Sequence, residues 1–134
     1  MPSVAADTHI IIWYFENPTQ LSANAENALV KAVANRNDKI YVSAISIVEM
    51  QYLSEKHKIS PKVLADFLAE LDMPDSIFEI VSLDRKISEN LSKISRQIVP
   101  DMPDRIIAVT ALTLNLPLIT ADEKIRASSV QTIW

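Results

Sequence analysis

Residues 99–123 read VPDMPDRIIAVTALTLNLPLITADE, and this stretch predicts a buried helix, a tight turn and a buried strand. Asp101 is placed to cap the helix, with Pro103 at the first helical position. The helix is apolar on almost every side, which indicates that it is buried. Its apolar residues are Ile106, Ile107, Val109, Ala111, Leu112 and Leu114.

The same stretch also predicts where this helix ends. Asn115 can adopt the left-handed conformation that closes a helix, and Pro117 prevents its continuation. The apolar residues 118–120 then have the character of a buried parallel strand. Acidic residues stand at both ends of the unit, so we expect them to share one edge of a sheet, where α/β proteins place their sites.

The rest of the chain alternates short apolar segments with amphipathic ones. Its 134 residues suit one domain over residues 1–134. This alternation predicts an α/β domain with a mainly parallel central sheet. Strands are expected at residues 3–6, 39–42, 77–81 and 118–120, with a last edge strand at 130–133. Helices are expected from about His9, from Ser22, from Ser43 or Ser46, from Ser60, and from Asp84 to Ile98.

Composition excludes several classes of protein. The net charge of −4 argues against a protein that binds nucleic acid by neutralising many phosphates. A phosphodiester could still enter an acidic pocket if divalent cations were bound there first. Without glycine there is no glycine-rich phosphate loop, and without cysteine there are no disulfides or thiolate ligands. No apolar run approaches the roughly 18 residues of a membrane span, and the N-terminus lacks a secretion signal. A cytoplasmic location is therefore expected.

Four acids stand at predicted element ends in apolar surroundings: Asp7, Glu49, Asp104 and Asp122. Gathered together they would repel one another unless a cation lay among them, and an all-oxygen ligand set suits Mg²⁺. Such a site could activate water for phosphodiester cleavage. Helix capping is an alternative explanation for Asp7 and Asp122, and for Asp101 it is the simpler one. Asp104 could equally be an acid that favours the dipole of the helix it begins. Glu49 has the weakest structural explanation.

Other polar and aromatic residues near these acids are less informative. His9 has no second histidine at metal-ligand spacing, so it is interpreted as a packed or surface residue. Trp13 and Tyr14 are interpreted as core or contact residues. Arg105, Lys124 and Arg126 lie close to the acids in sequence and could hold phosphate or simply be solvated.

Four segments of the chain together resemble the PIN domain family, and within it the VapC-type toxins of type II toxin–antitoxin pairs. They are ADTHIIIW at residues 6–13, SAISIVEM at 43–50, PDRIIAVTAL at 103–112 and LPLITADEKI at 116–125. Each motif alone is weak, but their order and spacing over nearly the whole chain are specific. Two departures are Asn115, where the family usually has glycine, and residues 54–98, which match only by pattern.

The resemblance implies a three-layer α/β/α domain with a central sheet of four to five strands. It also implies a Mg²⁺- or Mn²⁺-dependent endoribonuclease that cleaves RNA, acts as a toxin, forms a homodimer and is inhibited by a cognate antitoxin. Carried over by position, the catalytic and metal-binding residues would be Asp7, Glu49, Asp104 and Asp122. Thr120 would support the site, and Arg105 and Asp101 are further candidates for that role.

Three alternative functions fit the sequence less well. A receiver-like signalling domain would need adjacent acids early in the chain and a lysine after its fifth strand, which the sequence lacks. A dehalogenase-like phosphatase would need an acid two residues after Asp7, where His9 stands. A PIN-fold module without catalysis, binding RNA or protein, is the remaining alternative, and it is disfavoured because all four acids are present.

A protein partner is expected because the predicted apolar helices outnumber what one small sheet is expected to cover. The aromatic run at residues 13–15 and the apolar stripe at residues 61–71 are the surfaces expected to remain partly open. Such a surface typically accepts an amphipathic helix from another protein.

Overall fold

Five parallel strands form the central sheet in the computed structural model, which describes residues 3–134. They are β1 (Val4–Ala6), β2 (Ile40–Ser43), β3 (Phe78–Val81), β4 (Leu118–Ile119) and β5 (Thr132–Ile133). Their order in the sheet is β3-β2-β1-β4-β5. In register, Val4 pairs with Ile40 and Ala5 pairs with Leu118, so β1 lies at the centre.

Seven α-helices connect these strands within the described residues. They are α1 (Thr8–Glu16), α2 (Ala23–Ala34), α3 (Ala44–Glu55), α4 (Pro61–Leu71), α5 (Arg85–Glu89), α6 (Met102–Leu114) and α7 (Glu123–Arg126), with 3₁₀ turns at Pro18–Gln20 and Asn90–Lys93. None of the helices in residues 3–134 has both the length and the apolar character needed to cross a bilayer.

The core has two parts, one on each face of the sheet. Val4 and Ala6 face the part that packs against α1 to α4, whereas Ala5 faces the part formed mainly by α6 and its neighbours. Both faces of β1 are therefore buried, which explains why it is uniformly apolar rather than alternating. The three-layer α/β/α architecture with a parallel sheet confirms the predicted fold class.

The predicted caps explain most of the helix boundaries. Ser22, Ser60 and Asp84 each accept a backbone hydrogen bond from the first turn of the helix that follows them. Ser43, rather than Ser46, caps α3. Asp101 caps α6 as predicted, but Met102 is the first helical residue, so Pro103 occupies the second position.

Two helices end on a residue with a positive φ angle that is not glycine. Asn115 ends α6 with φ 56°, as predicted, and His57 follows α3 with φ 58°. After α3, the amide of Lys58 donates to the carbonyl of Leu53, and the amide of His57 donates to that of Ser54. These two hydrogen bonds together form a Schellman motif, in which the left-handed residue is normally glycine.

The segment after β3 differs from the prediction of one helix from Asp84 to Ile98. Helix α5 ends at Glu89 and passes into the 3₁₀ turn Asn90–Lys93. Ile87 and Ile94 are buried, but Ile98 is 42% exposed. The regularly spaced apolar residues therefore do not form one continuous buried helix face. The guanidinium of Arg105 fixes this turn by donating to the carbonyls of Leu91 and Ile94.

The apolar surface left open is not where it was expected. Tyr14 and Phe15 pack edge-on against Phe78 and Phe67 respectively, so most of the aromatic run belongs to the core. The stripe of α4 is likewise buried through Val63, Leu64 and Phe67. Exposed apolar side chains occur instead on α2, at Val30 and Val33, and on α3, at Val48 and Tyr52.

Candidate active site

Asp7 occupies the junction between the central strand β1 and helix α1. Its Oδ1 accepts a 2.7 Å hydrogen bond from the amide of Thr8, which caps α1. Its Oδ2 accepts a 2.6 Å bond from the hydroxyl of Thr120 at the end of β4. The residue is only 6% exposed. Asp7 is therefore both a helix cap and a carboxylate held in one orientation from two sides.

Thr120 connects two of the predicted acids. Besides donating to Asp7, its hydroxyl oxygen accepts a 3.0 Å hydrogen bond from the amide of Asp122. Asp122 in turn caps α7, where its Oδ1 accepts from the amides of Lys124 and Ile125. The cap uses only Oδ1, so Oδ2 of Asp122 is not engaged by it. The strands are added on one side of β1 as far as β3 and on the other side from β4 onward, so the strand order reverses between β1 and β4. These residues therefore lie at the carboxyl edge of the sheet at such a reversal, where α/β proteins bind ligands.

Glu49 is fixed by a relay of hydroxyl groups that starts from α1. The hydroxyl of Thr8 donates a 2.6 Å hydrogen bond to Oε1 of Glu49. Ser46, one turn before Glu49 on α3, lies 2.8 Å from the same hydroxyl. Thr8 has one hydroxyl proton and an ionised Glu49 can only accept, so Ser46 must donate to Thr8.

Asp101 and Asp104 stand together at the start of α6. Oδ2 of Asp101 accepts a 3.2 Å hydrogen bond from the amide of Asp104, which completes the cap. Within residues 3–134, no group donates a hydrogen bond to the Asp104 carboxylate. Asp104 is thus the least constrained of the four predicted acids.

All four predicted acids line one cavity of about 400 Å³. Asp101 joins them, so the residue that caps α6 also faces the site. Neither explanation of Asp101, as cap or as site residue, excludes the other. The cavity is lined by Asp7, His9, Trp13, Glu49, Asp101, Asp104, Ala121 and Asp122.

Burial, with the neighbouring carboxylates adding to it, raises the proton affinity of three of these acids. The pKa of Asp104 is raised from 3.8 to about 7, first by burial and then by the charges of Asp7, Asp101, Asp122 and Glu49. Burial also raises the pKa of Asp7, against the lowering effect of the Thr120 hydrogen bond. The pKa of Glu49 is likewise raised by burial, with Asp7 and Asp101 adding to the effect and the Thr8 hydrogen bond opposing it.

No lysine or arginine within residues 3–134 forms an ion pair with these acids, and the charge of His9, which lines the same cavity, only partly offsets the raised pKa of Asp7 and Glu49. Among residues 3–134, the two ion pairs are Lys62–Asp66 and Arg85–Glu89, both exposed on helix surfaces. Arg105 directs its guanidinium to the carbonyls of Leu91 and Ile94, and Lys124 and Arg126 are exposed on α7. The cavity therefore gathers anionic oxygen donors without a lysine or arginine counter-charge from the described residues.

The donor set fits a hard divalent cation. No three histidine, aspartate or glutamate side chains in the described part of the chain are close enough, as they stand, to form a joint ligand group. Mg²⁺ does not require one, because it usually keeps several waters and is held by one or two carboxylates together with substrate phosphate. A cavity of this size, with carboxylates on several walls, suits such a partly hydrated ion.

Sequence reasoning gave no individual role to Thr8 and Ser46, whose hydroxyls position Glu49. A signal for them was present. Thr8 directly follows Asp7, and Ser46 lies three residues before Glu49, on the same helix face. Both side chains are buried, and a buried hydroxyl needs a hydrogen-bond partner.

Comparisons with known proteins agree with this architecture. The family model described as PIN domain matches residues 4–129. Ribonuclease VapC22 of Mycobacterium tuberculosis (strain ATCC 25618 / H37Rv) is 26% identical over 127 residues, which cover 95% of this chain and 92% of that protein. A toxin-antitoxin complex from Klebsiella pneumoniae contains a chain that is 26% identical, with a TM-score of 0.65 and coverage of 98% and 97%. VapBC2 from Rickettsia felis, bound to a DNA fragment from their promoter, shares the fold at 19% identity, with a TM-score of 0.71 and 96% of both chains covered.

Proposed function

Because this chain belongs to the PIN domain family, we propose that it is a divalent-metal-dependent endoribonuclease and the toxin of a toxin–antitoxin pair. The observation that carries the proposal is the cavity lined by Asp7, Glu49, Asp104 and Asp122, in which no lysine or arginine of the described residues pairs with these acids. The similarity to a protein named as a ribonuclease supports the choice of reaction.

Each acid has a distinct place in this mechanism. Asp7 and Glu49 are held by threonine hydroxyls, so they would keep a fixed geometry as metal ligands. Asp104 and Asp122 retain free carboxylate oxygens and would complete the ligand set with water. A bound Mg²⁺ or Mn²⁺ would supply a water of lowered pKa and would stabilise charge on the phosphodiester. Asp104 would give up its proton on metal loading, because ligands must be deprotonated.

A protein partner is the second part of the proposal. The similar chain from Klebsiella pneumoniae, 26% identical to this one, was solved in a toxin–antitoxin complex. An apolar groove of about 460 Å³ between α1 and α2 would suit an apolar helix face of an antitoxin, with Tyr14, Leu29, Val30 and Val33 in its lining. A homodimer is proposed as well, through the exposed side chains of Val48 and Tyr52 on α3.

Cleavage of RNA by the purified protein tests the enzymatic proposal. We expect cleavage of a single-stranded RNA in Mg²⁺ or Mn²⁺, none in EDTA, and none of the DNA of the same sequence. Asp7→Asn and Asp104→Asn should each lower the rate at least about 100-fold, the scale of losing one electrostatic group from an active site. Asp75→Asn removes an exposed acid outside the cavity and should leave the rate unchanged.

Two results would contradict the proposal. One is cleavage that persists in EDTA, and the other is an equal rate for Asp104→Asn and Asp75→Asn. Folded protein that leaves RNA intact in both metals would instead favour a binding module without catalysis. The dimer is tested separately by sedimentation at micromolar concentration, with Tyr52→Ser expected to shift the protein toward monomer.

A further inference from the structure

A second cavity of about 500 Å³ adjoins the acidic one and shares two of its side chains. His9 and Trp13 line both cavities. The second extends from them along α1 and toward the end of α3. Its lining comprises His9, Ile12, Trp13, Glu16, Asn17, Gln20, Leu53, Lys58 and Ile59.

His9 and Trp13 form a continuous aromatic wall between the two cavities. They are four residues apart on α1, so their side chains lie on one helix face about 6 Å apart along the axis. Their ring centroids are 5.8 Å apart with an interplanar angle of 52°. The ring of Trp134 packs against Trp13 at a centroid distance of 5.9 Å and an interplanar angle of 45°. Because His9 is exposed and Trp13 only half-buried, both rings remain available to a ligand.

We propose that the aromatic wall of His9 and Trp13 stacks a base of single-stranded RNA next to the bond that is cleaved, and that Lys58 contacts a neighbouring phosphate. This inference rests on the proposed function. Proteins that bind single strands combine aromatic rings for the bases with cations for the backbone. Stacking would carry a large share of substrate binding because, among residues 3–134, Lys58 is the one lysine or arginine in the lining of the two cavities.

The second cavity has its charge at defined places. Lys58 is positioned by the Schellman motif after α3, in which its amide bonds to the carbonyl of Leu53. Glu16 is the anionic residue of the lining and disfavours phosphate on its side. The backbone is therefore expected near Lys58, whereas the side-chain amides of Asn17 and Gln20 can meet base edges.

RNA fits this surface better than a protein segment does. The groove on α2 is lined almost entirely by apolar side chains, as a helix-binding surface is, and it does not share a residue with the acidic cavity. The cavity beside His9 mixes aromatic, amide and charged groups and opens directly beside the carboxylates. A substrate strand leaving the acidic cavity on this side would pass over the aromatic wall.

Steady-state cleavage of a short single-stranded RNA in Mg²⁺ tests the role of the wall. Trp13→Ala should raise KM at least about fivefold with a smaller change in kcat, since stacking binds the strand but takes no part in the chemistry. Trp13→Phe keeps a stacking surface and should restore most of the affinity. An unchanged KM for Trp13→Ala, in a protein that Asp104→Asn inactivates, would overturn this inference and leave the proposed function standing.

Lys58 offers a test that does not disturb the core, because its side chain is exposed. Lys58→Gln should raise KM and reduce the slope of log affinity against log salt by about 0.7, the value for one phosphate contact on a single strand. Lys56→Gln makes the same charge change two residues away, outside the cavity, and is the matched control. Equal salt slopes for the two variants would contradict the phosphate contact.

Tryptophan fluorescence reports on stacking without any turnover. In the Trp134→Phe, Asp104→Asn protein, Trp13 is the remaining tryptophan, and the variant should not cleave. Added RNA in Mg²⁺ should quench the emission of Trp13. Addition of the same buffer without RNA, at equal ionic strength, should not. If RNA binds with no quenching, the strand does not reach Trp13, and the wall is then a surface for protein contact instead.

Discussion

The hydroxyl of Thr120 donates a 2.6 Å hydrogen bond to Oδ2 of Asp7, a residue 113 positions away in the chain. The contact joins the ends of the neighbouring strands β1 and β4. The same hydroxyl accepts the amide of Asp122, so one buried side chain sets the relative positions of two acids. It also lowers the pKa of Asp7 against the effect of burial.

Removing this hydroxyl should destabilise the protein. Thr120→Val keeps the shape but leaves Oδ2 of Asp7 buried without its donor, a loss of about 1–3 kcal/mol in the free energy of unfolding. Thr120→Ser keeps the donor and should lose much less. Urea denaturation of both variants at neutral pH makes the comparison. Equal stabilities for the two variants would show that the hydrogen bond contributes nothing.

Thr8, whose hydroxyl donates to Glu49, should affect the protonation of the Glu49 carboxyl as well as the stability of the protein. Thr8→Val removes the donor that opposes burial, so the pKa of Glu49 should rise further, whereas Thr8→Ser should preserve it. A carbon-detected NMR titration of the Glu49 carboxyl in metal-free protein measures this directly.

The acidic cavity should make the metal-free protein less stable as pH rises. The pKa of Asp104 is about 7 in the folded protein against an ordinary value of 3.8, so the folded state binds the proton more tightly than the unfolded state. Its contribution to stability is therefore complete below about pH 4 and is lost as pH rises to about 7. In EDTA, the Tm advantage of Asp104→Asn over wild type should grow across this window and then level off. A constant difference would contradict the raised pKa.

Divalent metal should reverse this instability. At neutral pH, millimolar Mg²⁺ or Mn²⁺ should raise Tm by mass action on the folded state. Calorimetric titration in buffers of different ionisation enthalpy should detect proton release on binding. Asp104→Asn should weaken both responses, whereas Asp75→Asn should retain them. No shift in the Tm of the wild-type protein at millimolar metal would count against the metal site.

The two left-handed residues permit a test of backbone strain. His57 has a φ angle of 58° and Asn115 has a φ angle of 56°. A left-handed conformation costs an ordinary residue roughly 1–2 kcal/mol, and asparagine less. His57→Gly should therefore stabilise the fold by up to about 1 kcal/mol after glycine's own entropic cost, and Asn115→Gly should stabilise it less. Thermal unfolding of the two variants gives the ranking, and the opposite order would contradict the explanation.

Much of the fold was accessible from the sequence because its signals are local. The caps Ser22, Ser60 and Asp84 act within one turn of the helix that each begins, and Asn115 acts within one turn of a helix end. The apolar strands were recognisable because both faces of the sheet are covered. The break after α5 was missed, since the spacing of Ile87, Leu91 and Ile94 suits a helix and a 3₁₀ turn almost equally.

The sequence by itself determined which acids stand at element ends, through the local chemistry of caps and apolar segments. Only the tertiary structure decided how they are held. Thr120 reaches Asp7 and Thr8 reaches Glu49 because the sheet order places β1 between β2 and β4. Strand order depends on how distant segments pack, and no local pattern specifies it. The same reason explains Arg105, whose sequence position beside Asp104 gave no sign that its guanidinium would bind the carbonyls of Leu91 and Ile94.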